Sequence, residues 1–242
     1  MPTENNKFYK EIVNSVKNKL KLLAILIDPD KIDLDKLPFL IEKIKQSPAT
    51  HIFIGGSVVT NYIIDEIILE LKNNLDLPIV LFPGDPSQIS KHADAILFLN
   101  LISGRNPKYL IEHQVNSVSI LKNTQLEIIS TGYILIDGGK ETAVQRISQT
   151  QPIKSDDINL IVDTATAGNW MGNQLIYLEA GSGAIFPVPI DVIKQVKSNI
   201  TCPLIVGGGI KSAKQIEMAF TNGADIVVIG TAFENNAHFF DR

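Results

Sequence analysis

Eight short runs rich in Ile, Leu, Val and Phe recur along the chain, and most are apolar at nearly every position rather than at alternate ones. They fall at 22–28, 51–55, 78–82, 94–99, 128–136, 175–179, 203–206 and 225–229. A strand apolar on both faces must be covered on both, the condition of a parallel sheet flanked by helices. The stretches between the runs carry helical periodicity. Eight such strands alternating with helices within 242 residues predict an α/β fold, a closed (β/α)₈ TIM barrel occupying residues 1–242 as one domain. An open, doubly wound sheet is the alternative.

Two segments test this pattern. Residues 158–170 are rich in β-branched side chains, but Ile158, Ile161, Val162 and Ala165 follow helical spacing after Asp156 and Asp157. Acidic residues favour a helix N-terminus, so the segment is expected to be helical. Only residues 83–93 separate the third and fourth strands, and they include Pro83, Gly84 and Pro86. That is short for a crossover containing a helix, so the barrel wall is expected to be thinly covered there.

Lys and Arg number 22 against 26 Asp and Glu, a net charge of −4. This balance argues against broad nucleic-acid binding, and any phosphorylated ligand must be met by a local site. The single cysteine, Cys202, rules out an internal disulfide and fits a reducing, cytoplasmic setting. Residues 1–21 lack the apolar core of a signal peptide, and no apolar run approaches the length of a membrane span.

In such a barrel, chemistry gathers at the carboxyl ends of the strands. Gly207-Gly208-Gly209 follows the seventh strand and Gly230-Thr231 the eighth. Glycines let backbone N–H groups approach an anion, and these two loops are a common phosphate site of the fold. Tyr177-Leu178-Glu179-Ala180-Gly181-Ser182-Gly183 ends the sixth strand, with Tyr177 and Glu179 on one face. A carboxylate at that place needs a proton, a partner or a ligand. Tight turns and a structural ion pair are the plain readings of these features. Phosphate binding beside a base is the sharper one.

Asp28 ends the first strand and Ser57 follows the second. One carboxylate and one hydroxyl suit Mg²⁺, which binds few protein oxygens and keeps its other positions for water and phosphate oxygens. Asp30 and Lys31 read as solvated rim residues, with Lys31 also able to face a diphosphate. Arg105 and Lys140, after strands four and five, are weaker candidates for neutralising a diphosphate. The 4 histidines show no metal-ligand spacing.

Leu26-Ile27-Asp28-Pro29-Asp30-Lys31, Gly55-Gly56-Ser57, Thr131-Gly132-Tyr133, Tyr177 through Gly183, Gly207-Gly208-Gly209-Ile210 and Gly230-Thr231 together resemble the geranylgeranylglyceryl phosphate synthase family. The resemblance runs in order from about Leu22 to Phe233, and the Tyr-Leu-Glu motif with its Gly-Ser-Gly tail is its most specific part. It implies a modified barrel whose third helix is replaced by a short loop. It implies prenyl transfer from geranylgeranyl diphosphate to the primary hydroxyl of sn-glycerol 1-phosphate, by a cytoplasmic homo-oligomer. By position it implies Mg²⁺ at Asp28 and Ser57. The glycerol-phosphate site would comprise Tyr177, Leu178, Glu179, Ala180, Gly181, Ser182, Gly183, Gly208, Gly209, Gly230 and Thr231. Glu179 is the expected base, and Tyr109 the expected limit on prenyl length. An isomerase or lyase acting on a phosphorylated sugar, or a non-catalytic prenyl-lipid binder, would share parts of this pattern.

Overall fold

The computed structural model describes residues 6–56, 63–236 and 239–240. Eight parallel strands close into a barrel in sequence order: β1 (Leu22–Ile27), β2 (His51–Ile54), β3 (Ile79–Leu81), β4 (Ala95–Leu101), β5 (Glu127–Leu135), β6 (Leu175–Glu179), β7 (Leu204–Gly207) and β8 (Ile226–Ile229). Pairing of β1 with both β2 and β8 completes the circle. The expected boundaries move by one or two residues. β4 runs on to Leu101 because Asn100 and Leu101 still pair with Gly132 and Tyr133 of β5.

Side-chain alternation splits the core in two. Leu22, Ala24, Phe53, Val80, Leu97, Ile129, Tyr133, Leu175, Tyr177, Ile205 and Val228 form the cluster inside the barrel. Leu23, Ile25, Ile52, Ile54, Ile176, Leu178, Leu204 and Val227 face the helical shell. Both faces are apolar because both are packed, as the continuous runs require.

The shell comprises α1 (Lys7–Lys17), α2 (Leu37–Lys45), α3 (Ile64–Asn74), α4 (His113–Leu121), α5 (Ala143–Ser148), α6 (Ile158–Trp170), α7 (Ile190–Asn199), α8 (Ala213–Thr221) and α9 (Thr231–Asn235). The β-branched segment 158–170 is helical as its spacing predicts, and the Asp157 carboxylate caps it by accepting from the Leu160 N–H. Between β3 and β4 there is one 3-10 turn, Pro86–Gln88, in place of a helix. Buried Gln88 holds this link to the end of β2. Its amide donates to the Gly56 carbonyl at 2.8 Å, while its oxygen accepts from the N–H groups of Gly84 and Gly56 at 3.1 and 3.3 Å. After β4, a π-helical turn at Lys108–Glu112 leads into α4.

Helix α1 covers the end of the barrel away from the strands' carboxyl termini. Ile12 packs into the inner core with Phe8, Tyr9 and Val16 around it. Buried Glu127, the first residue of β5, accepts from the N–H groups of Phe8 and Tyr9 at 2.7 and 2.8 Å. These are unpaired donors of the first helical turn, where the helix dipole also favours a negative charge. Glu127→Ala should therefore destabilise the fold by about 1–3 kcal/mol, because it leaves two donors without an acceptor. Urea unfolding should show a lower midpoint with little change in slope.

Candidate active site

Glu179 is the last residue of β6 and points into the barrel mouth, one step above Tyr177 on the inward face. Both are buried. The Glu179 Oε1 accepts from the Gly181 N–H at 2.6 Å. Burial nevertheless pushes its pKa up to about 7, against the lowering effect of that N–H and of the Tyr177 hydroxyl. The Tyr177 hydroxyl lies beside the carboxyl and has no other partner.

The glycines opposite make this arrangement sterically feasible. A Cβ on Gly207 would stand 2.6 Å from the Tyr177 oxygen and 2.8 Å from Glu179 Oε2. One on Gly208, which has φ +80°, would stand 2.3 Å from Glu179 Oε1. Side chains at either place would displace the carboxylate. Their absence leaves Glu179 open to a cavity of about 630 Å³ at the barrel mouth, a size common for small-ligand sites.

Ser182, Gly183, Gly208, Gly209, Gly230 and Thr231 line one side of that cavity. The Ser182 and Thr231 hydroxyls meet at 3.2 Å and join the loops after β6 and β8. Helix α9 begins at Thr231, so its first N–H groups face the same side. Lys43 anchors this helix, donating to the Phe233 carbonyl and lying 4.1 Å from the centre of the Phe233 ring.

Next to this helix, at the end of β1, Asp28 is half-buried and lines the cavity. Its carboxylate accepts from the Asp30 N–H at 3.3 Å and pairs with Lys31 at 3.2 Å. Gly56 lies beside it, since a Cβ there would be 2.9 Å from Asp28 Oδ1. Ser57 lies outside the described residues. Among those described, no three His, Cys, Asp or Glu side chains gather as a metal site. Asp28 offers a carboxylate to the mouth, where Asp30 and Glu234 also line the cavity.

A second, apolar groove runs between the β3–β4 link and α4. It is lined by Pro83, Ile89, Ile96, Phe98, Leu101 and Tyr109, among others. Tyr109 donates to the Ile147 carbonyl at 3.2 Å and packs its ring on His113. Gly56, Phe82, Tyr133, Val144 and Ile147 line both spaces, so groove and mouth meet at these residues.

Some expected site residues stand elsewhere. Leu178 and Ala180 pack in the outer core, and the buried Gly181 N–H is taken by Glu179, so none of the three offers a side chain or free donor to the mouth. Arg105 turns back on its own loop and donates to the Ile102 and Gly104 carbonyls, which removes it from the mouth. Lys140 lies near Gly183, its Nζ 3.1 Å from where a Cβ would be. Lys31 stays exposed at the rim, where it lines the mouth and pairs with Asp28. Arg146, Lys211 and Glu234 also line the cavity, and sequence reading missed them. Arg146 and Glu234 lie on α5 and α9, beyond the strand-end loops, while Lys211 follows the triple glycine. The Glu234 pKa is raised, first by burial and then by Asp28, while Lys31 opposes the shift.

The sequence model of the PcrB family matches residues 14–242. The chain is 58% identical over 233 residues to the geranylgeranylglyceryl phosphate synthase of Flavobacterium johnsoniae, covering 96% of both chains. It superposes with TM-score 0.90 on the (S)-3-O-geranylgeranylglyceryl phosphate synthase of Thermoplasma acidophilum, solved with its substrate sn-glycerol-1-phosphate. The identity there is 30%, over 97% of this chain and 94% of the other. The corresponding enzyme of Thermoplasma volcanium gives TM-score 0.88 and 33% identity, over 96% and 92%.

The raised Glu179 pKa has a consequence for stability. The folded chain keeps this proton up to about pH 7, whereas an unperturbed glutamate releases it near 4.5. Between these values the native state binds more protons, so stability contributed by this group falls as pH rises and levels off above 7. The slope is at most ~1.4 kcal/mol per pH unit. Glu179→Gln should lose this component, so chemical denaturation of parent and variant from pH 4 to 8 should diverge across that window.

Proposed function

The chain belongs to the PcrB family, and on that premise we propose that it transfers a geranylgeranyl group from its diphosphate to the primary hydroxyl of sn-glycerol 1-phosphate, releasing diphosphate. One observation carries the reading: a polar mouth lined by glycine loops and an apolar groove meet beside a buried carboxylate. A sugar-phosphate isomerase or lyase would use the first and has no need of the second.

The glycerol phosphate binds at Ser182, Gly183, Gly208, Gly209, Gly230 and Thr231, its charge met by backbone N–H groups and two hydroxyls. That orientation brings its free hydroxyl to Glu179, whose ionised carboxylate takes the proton as the hydroxyl attacks. The groove holds the prenyl tail, stabilised by ~0.8 kcal/mol per buried methylene. It also keeps water from the reacting carbon. Mg²⁺ held by Asp28 and Ser57 would supply charge neutralisation for the departing diphosphate. Lys31 and Arg146 also line the mouth and add positive charge. We place the enzyme in the cytoplasm as a homo-oligomer. Among the described residues no helix is long and apolar enough to cross a membrane.

The direct test is incubation with glycerol 1-phosphate and prenyl diphosphates of several lengths, with and without Mg²⁺, followed by product mass. An ether product dependent on Mg²⁺ is expected, and its absence rejects the reading. Glu179→Gln should lower kcat by roughly two to four orders of magnitude in a folded protein. In the parent, kcat/KM should rise through pH about 7, where Glu179 ionises, and reach a plateau above it. Tyr109→Ala should shift relative kcat/KM toward chains longer than geranylgeranyl, since it removes an aromatic ring from the groove wall. A length profile matching the parent's would take Tyr109 out of this role.

A further inference from the structure

Phe82, immediately after β3, is the one aromatic residue at the junction of groove and mouth that carries no hydroxyl. Its ring stacks on Tyr177 with centroids 5.3 Å apart and planes at 25°, and tilts against Tyr133 at 5.9 Å. The two tyrosine rings are themselves 5.3 Å apart. Both tyrosines are buried, whereas Phe82 is half-buried and the most open of the three. Its backbone is fixed as well. The Phe82 N–H donates to the Ile54 carbonyl at 2.7 Å, and Gly55, at φ +152°, sits so close that a Cβ would fall 2.0 Å from the Phe82 oxygen. An unremarkable wall residue needs neither this close backbone approach nor an aromatic stack behind it.

We propose that Phe82, backed by Tyr177, presents its π face to the allylic carbon and stabilises the positive charge that develops there. The proposal rests on the transferase reading and adds a residue to it. In the step, the bond between the allylic carbon and the diphosphate oxygen breaks, and its electron pair leaves with diphosphate. The glycerol-phosphate hydroxyl oxygen forms the new bond to that carbon, and its proton passes to Glu179. While the old bond is more broken than the new one is formed, the carbon is cationic. A ring face attracts a cation through its quadrupole, more strongly where water is excluded. Phe also offers no hydroxyl oxygen for the cation to alkylate. The hydroxyl-bearing rings lie deeper, their protons held on by burial.

The test is a series of singly, doubly and triply fluorinated phenylalanines placed at position 82 of the full chain. Fluorine withdraws π density with little change of shape. Single-turnover rates with geranylgeranyl diphosphate, glycerol 1-phosphate and Mg²⁺ should fall stepwise, by about tenfold across the series, with substrate affinities unchanged. Phe82→Leu, which keeps an apolar wall without a ring, should be at least as slow as the most fluorinated member. Equal rates across the fluorinated series, or a loss confined to prenyl diphosphate affinity, would overturn the proposal and leave the transferase reading intact. A parent enzyme that forms no ether product would overturn both.

Discussion

Every strand of a closed parallel barrel has two faces to cover, and neither face has access to water except at the barrel ends. This constraint makes the strands largely apolar and puts most polar groups at the two rims. Glu127 and Glu179 mark those rims. Glu127 accepts two N–H groups of α1 and closes one end. Glu179 accepts one from Gly181 at the other end and faces an open cavity, so its burial is only partly compensated. One carboxylate is structural and the other is left with a pKa of about 7.

The departure from a regular barrel lies between β3 and β4, where a 3-10 turn replaces a helix. A full helix there would cover the wall that the apolar groove occupies. Gln88 stands in for the missing element by tying the link to Gly56 through two hydrogen bonds and accepting a third from Gly84 within the link. Gly56 in turn borders both Asp28 and the junction of the two spaces. Gln88 and Gly56 thus stabilise the shortened connection where the groove, the Asp28 carboxylate and the mouth meet.

The mouth carries both signs of charge, which resolves the apparent conflict between an acidic chain and anionic ligands. Lys31, Arg146 and Lys211 line the cavity with the N–H-rich glycine loops, against Asp28, Asp30, Glu179 and Glu234. Burial holds the Glu179 and Glu234 protons more tightly than in water, so the local charge is less negative than the composition suggests.

Eight continuous apolar runs, the helical spacing of 158–170 and the brevity of 83–93 determined the barrel, its elements and its thin wall, because burial on two faces and chain length are local properties. The glycine loops and Glu179 were also legible, since inward alternation along β6 follows from strand geometry alone. What only the tertiary structure decided was which groups meet. Arg105 folds back on its own carbonyls, while Arg146 reaches the mouth from α5, and nothing local distinguishes the two. Phe82 reads as the end of an ordinary strand until Gly55 and Tyr177 fix its ring at the junction. Leu178 and Ala180 belong to the most recognisable motif, yet they face the outer core. A motif specifies residue types in order along the chain. The direction in which each side chain points, and what stands across the mouth from it, depends on closure of strands distant in sequence.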